Sequence, residues 1–175
     1  IMPAPDTFAL TIAQRDIWLD QISHGDSPLY NIGAYVELQG NVDAGLLQQA
    51  LQHLVAEHDG LRTVLVTQGG LARQYFATHM AVTLGRHDLR QASEPFAAAS
   101  GLLEAQMRTP YQLDAASPLW AATLIRIGEQ RYLLALQAHH LILDGWGVDQ
   151  WFKQLADHYR LLQQGLPLPH GAASY

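Results

Sequence analysis

The chain has 175 residues, 49% of them hydrophobic and 15% charged, with a formal charge of -6 and no cysteine. That length suffices for one substantial core, and acidity without any lysine or arginine cluster speaks against nucleic acid and anionic membrane as partners. The lack of cysteine excludes disulfides, thiolate metal sites and covalent thiol catalysis, and the lack of a long apolar run or a signal-peptide pattern leads us to expect a soluble, cytoplasmic protein.

Residues 1–9 read as an extended lead-in, because Pro3 and Pro5 both discourage helix. Thr11-x-x-Gln14 has the form of a capping box and opens a predicted helix with Ile17, Trp18 and Ile22 as its buried stripe. Residues 34–38 read as a strand stopping at Gly40. From Asp43 to about Glu57, Leu46, Leu47, Ala50, Leu51, Leu54 and Val55 recur at helical spacing. Gly60 is placed to end that helix, and a hairpin turning at Gly69-Gly70 joins Leu61–Val66 to Leu71–Phe76.

Ala81–Leu84 is a short strand candidate, followed by a polar loop over Arg86–Ser93. Glu94–Arg108 is read as a helix with Pro95 in its first turn and Phe96, Leu103 and Met107 inward. Pro118–Ile127 and Gln130–Ala138 form a second hairpin, apolar on both faces as central strands are. Val148, Trp151, Phe152, Leu155, Tyr159 and Leu162 mark the last helix, and residues 166–175 have the composition of a linker. Interleaved strands and helices predict an α/β (α+β, two-layer) fold with a mixed sheet packed by helices.

Chemistry concentrates in Arg131-Tyr-Leu-Leu-Ala-Leu-Gln-Ala-His139-His140-Leu-Ile-Leu-Asp144-Gly145-Trp146-Gly147. Successive strand side chains point to opposite faces, so His139 and His140 cannot both serve one reacting atom. One is expected to be structural and the other free to act. Gly145 permits positive φ or a close ligand approach, and its amide is a candidate hydrogen-bond donor.

This His-His-x-x-x-Asp-Gly string resembles the signature of the condensation domains of non-ribosomal peptide synthetases, which are similar in fold to chloramphenicol acetyltransferase. Leu10-Thr-Ile-Ala13-Gln14-Arg15-Asp16-Ile17-Trp18 resembles the family's first core motif, departing at Asp16 where arginine is more usual. Tyr30-Asn31-Ile32 is similar to its pattern too. Glu57-His58-Asp59-Gly60-Leu61-Arg62-Thr63 resembles the second motif through His58, Leu61, Arg62 and Thr63, with Glu57 and Asp59 replacing the usual arginine and glutamate.

The resemblance implies that residues 1–175 are the N-terminal lobe of a condensation domain, whose active site lies in a tunnel against a C-terminal lobe. It implies amide formation between a donor acyl or peptidyl thioester and the amine of an aminoacyl group. Both would ride on phosphopantetheine arms of donor and acceptor peptidyl carrier proteins, beside a neighbouring adenylation domain, with no cofactor or metal bound by the lobe. His140 is then the residue facing the reacting groups and Gly145 a backbone donor or a steric allowance, supported by His139, Asp144, Arg62 and Trp146, with Arg62 expected to pair with Asp144. An imidazole there can orient the amine, accept its proton or stabilise the tetrahedral intermediate.

Other readings fit less well. A metal hydrolase using His139, His140 and Asp144 would need diverging side chains to converge, and no Gly-x-Ser-x-Gly marks a serine hydrolase. Within the superfamily, epimerisation domains share the histidines but usually differ after the aspartate, heterocyclisation domains replace the histidines, and a non-catalytic carrier-docking lobe remains an alternative. His24, His53, His79, His87, His158 and His170 read as solvent-exposed, and Trp18, Trp146, Trp151 and Phe152 as core.

Overall fold

The computed structural model describes residues 6–169. In chain order the elements are β1 (Phe8–Ala9), α1 (Ile12–Ser23), β2 (Asn31–Gln39), α2 (Ala44–Glu57), a single 3-10 turn (Asp59–Arg62), β3 (Thr63–Gln68), β4 (Leu71–Phe76), β5 (Leu84–Asp88), α3 (Pro95–Met107), β6 (Trp120–Gly128), β7 (Arg131–His139) and α4 (Gly145–Gln163). Two sheets result, β1-β4-β3 and β2-β7-β6-β5. The larger is mixed, with β7 antiparallel to both neighbours and β5 parallel to β6. The expected mixed α/β lobe is what forms.

Alternation along the central strands divides the core. Trp120, Ala122 and Leu124 of β6 and Leu134, Leu136 and Ala138 of β7 pack with Leu47, Leu51 and Leu54 of α2 and Trp151 and Leu155 of α4. The intervening Ile125, Ile127, Leu133 and Ala135 pack with Ala99 and Leu103 of α3. Helices therefore cover both faces of the larger sheet, and β7 is buried from Tyr132 through His139. A third cluster, Leu65, Leu119 and Leu141, joins the two sheets and takes in Ile17 and Trp18 of α1.

Local chemistry sets the ends of these elements. The Thr11–Gln14 capping box forms, and Asp43 caps α2 through the Gly45 and Leu46 amides. Gly69 and Gly70 take φ of 58° and 79°, as a two-residue hairpin turn requires.

Several expectations are corrected. Arg86–Asp88 is strand, not loop: its polar residues sit on the outermost strand of the larger sheet, paired parallel to β6 on one side only. Ile22 and Phe96 are exposed; Gln21 takes the inward place on α1, and Phe96 lies edge-on to exposed Tyr35 of β2. Phe8 and Ala9 of the lead-in pair with β4, while residues 1–5, 170–175 and with them His170 lie outside the described residues. Among the described residues no helix is long and apolar enough to cross a membrane.

Candidate active site

The two histidines end β7 in opposite environments. The His139 amide donates to the Leu119 carbonyl (2.8 Å) and the His140 amide to the Tyr30 carbonyl (2.7 Å), so neighbouring strands pin the backbone from both sides. The His139 side chain is 1% exposed, whereas His140 is exposed. The strand period has separated the pair, one ring inward and one outward.

His139 is held as a neutral ring of defined tautomer. The Leu141 amide donates to Nδ1 (3.1 Å), which leaves the proton on Nε2 to donate to Gln21 Oε1 (3.3 Å). Gln21 is itself buried and donates to the carbonyls of Gly25 (2.7 Å) and Ser27 (3.0 Å). Tyr30 and Tyr111 flank the ring at centroid distances of 6.0 and 6.2 Å. Burial first, and His140 second, lowers the His139 pKa to about 4, so the ring is uncharged at neutral pH.

The turn beyond is fastened to α1. The Gln14 side chain donates to the Leu141 carbonyl (3.2 Å) and exchanges amide hydrogen bonds with Gln74 at 3.0 and 3.1 Å. Gln21 and Gln14 both escape a reading that follows apolar stripes alone. The signal that finds them is their spacing around Trp18, which puts two amides on the inward face of a helix.

Downstream, Asp144 caps α4, its Oδ1 accepting from the Gly147 amide at 2.7 Å. Asp144 is exposed and pairs with no cation among the described residues. The expected Arg62–Asp144 pair is not formed. Arg62 lies in the 3-10 turn, not in a strand, and its guanidinium bonds Asp59, three residues earlier, and the Ala77 carbonyl (2.7 Å). The substitution that puts an aspartate at position 59 supplies a partner at shorter reach, leaving the Asp144 carboxylate to the helix end.

Gly145 opens α4 without positive φ, and a Cβ there would meet nothing within 4 Å of this lobe. Gly147 is the tighter position, where a Cβ would fall 2.4 Å from Leu143 Cδ2. Trp146 is 70% exposed, contrary to its reading as core, and its ring lies 5.6 Å from the Lys153 ammonium. A groove of about 580 Å³ runs between α1, β3 and residues 111–114; Gln21 and Tyr111 line it and His140 does not.

Comparison with solved structures places this architecture in one class. The starter condensation domain of rhizomide synthetase superposes with a TM-score of 0.89 at 28% identity, covering 94% of this chain and 40% of that one. The first condensation domain of the CDA synthetase gives 0.89 at 26%, over 97% and 44%. Residues 4–175 match the sequence profile described as Condensation domain, and the chain belongs to that family. A linear gramicidin synthase of Brevibacillus parabrevis is 37% identical over 95% of this chain, and the isonitrile lipopeptide synthase of Streptomyces coeruleorubidus 34% over 93%. The chain spans 3% and 11% of those relatives' lengths, and under half of the solved condensation domains.

Proposed function

We propose that this chain is the N-terminal lobe of a peptide-synthetase condensation domain and forms the His140 wall of its active site. The observation that carries the reading is the split between the two histidines: His139 is buried, neutral and fully hydrogen-bonded, and adjacent His140 is exposed with its amide tied to the Tyr30 carbonyl. A side chain so presented can meet a substrate without moving the fold.

The reaction is attack by an acceptor amine on a donor thioester. The amine nitrogen adds to the carbonyl carbon, a carbon–nitrogen bond forms, and the carbon–sulfur bond breaks. The donor phosphopantetheine leaves as a thiol, carrying the proton the amine loses. His140 orients the amine and takes up or relays that proton, a role typically contributing ~10²- to 10⁴-fold. An amine already attacks thioesters well, so positioning weighs at least as much as proton transfer. The Gly145 amide, in the first turn of α4 and so without an intrahelical acceptor, is the candidate donor to the developing oxyanion.

On this reading a C-terminal lobe supplies the second wall, which fits the 40% coverage of a condensation-domain chain. Donor and acceptor carrier proteins deliver both substrates on phosphopantetheine, a neighbouring adenylation domain supplies the activated amino acid, and the work is cytoplasmic. No cofactor is required of the lobe itself.

The test is a condensation assay on the full-length parent with loaded donor and acceptor carriers. His140→Ala is expected to cut product formation by ~10²-fold or more with an unchanged circular dichroism spectrum. Product at the wild-type rate would overturn the assignment and make this lobe a carrier-docking surface.

A further inference from the structure

A second histidine cluster lies in the seam between α2 and α4. His53 and Glu57 are one turn apart on α2, and His158 reaches them from α4. His53 Nε2 is 3.3 Å from Glu57 Oε1, and His158 Nε2 is 3.5 Å from Glu57 Oε2. The two imidazoles meet edge to face at 5.1 Å. One donor atom from each of the three residues lies within 4.8 Å of the other two. We propose that His53, Glu57 and His158 bind a divalent transition metal of the zinc class, clasping α2 to α4.

Two imidazoles and a carboxylate are a three-ligand zinc set with a fourth position left to water. Bonds of about 2.0–2.1 Å in a tetrahedron separate neighbouring ligand atoms by about 3.4 Å, and each imidazole already lies near that separation from one oxygen of the shared carboxylate, His53 from Oε1 and His158 from Oε2. The set is sheltered as well: the side chains of His158 and Glu57 are only 7% and 13% exposed. His158, expected on a polar face, is therefore a buried residue.

The ion-pair partners of Glu57 among the described residues are these two histidines. His158 Nδ1 is buried with no hydrogen-bond partner among the described residues.

The clasp would be structural. His158 lies about 20 Å along α4 from Gly145 at 1.5 Å per residue, well away from His140. His58, one residue after Glu57, is engaged by Gln154 (2.6 Å) and stays outside the set. His53 Nε2 also contacts the Pro169 carbonyl (2.8 Å), a bond that coordination would replace.

The experiment uses the 175-residue chain after dialysis against a chelator. Zinc chloride is titrated by calorimetry, cobalt(II) absorption reports the coordination, and melting is followed with and without zinc. One equivalent of zinc is expected to bind and raise the melting temperature, with a tetrahedral cobalt spectrum. His53→Gln, Glu57→Gln and His158→Gln are each expected to weaken binding at least ~10-fold, and His79→Gln to leave it unchanged. His53 and Glu57 sit nearer the surface than His158, so their variants remain informative if the His158 variant folds poorly. Absence of one-equivalent binding, or binding that survives both His53→Gln and Glu57→Gln, would overturn the proposal.

Discussion

The end of β7 and the α2–α4 seam each bury one histidine beside a less buried one, with different results. At β7 the buried ring is satisfied by neutral groups, the Leu141 amide and the Gln21 side chain, and nothing further is needed. In the seam the buried ring faces a carboxylate and leaves one nitrogen unpartnered. The first arrangement is complete within the chain and frees its neighbour His140 for work outside it. The second gathers two imidazoles and a carboxylate into one three-ligand set. Depth alone does not assign a histidine; what its two nitrogens meet does.

Substitutions at and around β7 probe that contrast. The largest stability loss is expected for His139→Ala, which opens a cavity and strands the Leu141 amide and Gln21, costing about 2–5 kcal/mol in urea unfolding. A cost below about 1 kcal/mol would mean the ring is not the keystone of the strand end. Next comes pH. With a folded pKa near 4 against an ordinary 6.5, His139 takes a proton more readily in the unfolded chain. Its contribution is thus fully present above about pH 6.5 and is lost as pH falls toward 4, at most about 3 kcal/mol. Unfolding across that window should show a shallower slope for His139→Leu than for wild type.

Smaller effects follow. Gly33→Ala would place a Cβ 2.8 Å from the Leu136 carbonyl, so the β2–β7 pairing must shift, at about 1–3 kcal/mol in thermal melts. Asp144→Ala removes a helix cap and should cost about 1 kcal/mol, with Asp144→Ser nearly neutral. A loss of roughly 3–5 kcal/mol in chemical denaturation would instead reveal a buried ion pair at Asp144. The smallest is His140→Ala, an exposed site where stability should change by no more than about 0.5 kcal/mol. Set beside the condensation assay, that small effect separates loss of chemistry from loss of fold.

Both hairpins, the capping box and the helices over α2 and α4 were legible from turn residues and apolar spacing, and three motifs mark the family. The misses are places where tertiary neighbours override local pattern. Strand β5 has polar residues at Arg86, His87 and Asp88 and owes its form to pairing with β6. Arg62 found Asp59 before Asp144 because a 3-10 turn shortens the distance between them, which no linear spacing discloses. His158 continues the buried Trp151–Leu155 spacing of four and three residues, and polarity alone made it look exposed.

The pairing of β2 with β7 also governs when the site can exist. Asn31 lies opposite His139, more than a hundred residues later in the chain. Closing so long a loop is entropically unfavourable before the contacts form, and such non-local pairings slow folding. A ribosome must therefore release nearly the whole lobe before the His140 amide can reach Tyr30. Until then β2 waits without its partner, and truncation anywhere before β7 leaves that edge open to pairing with other chains.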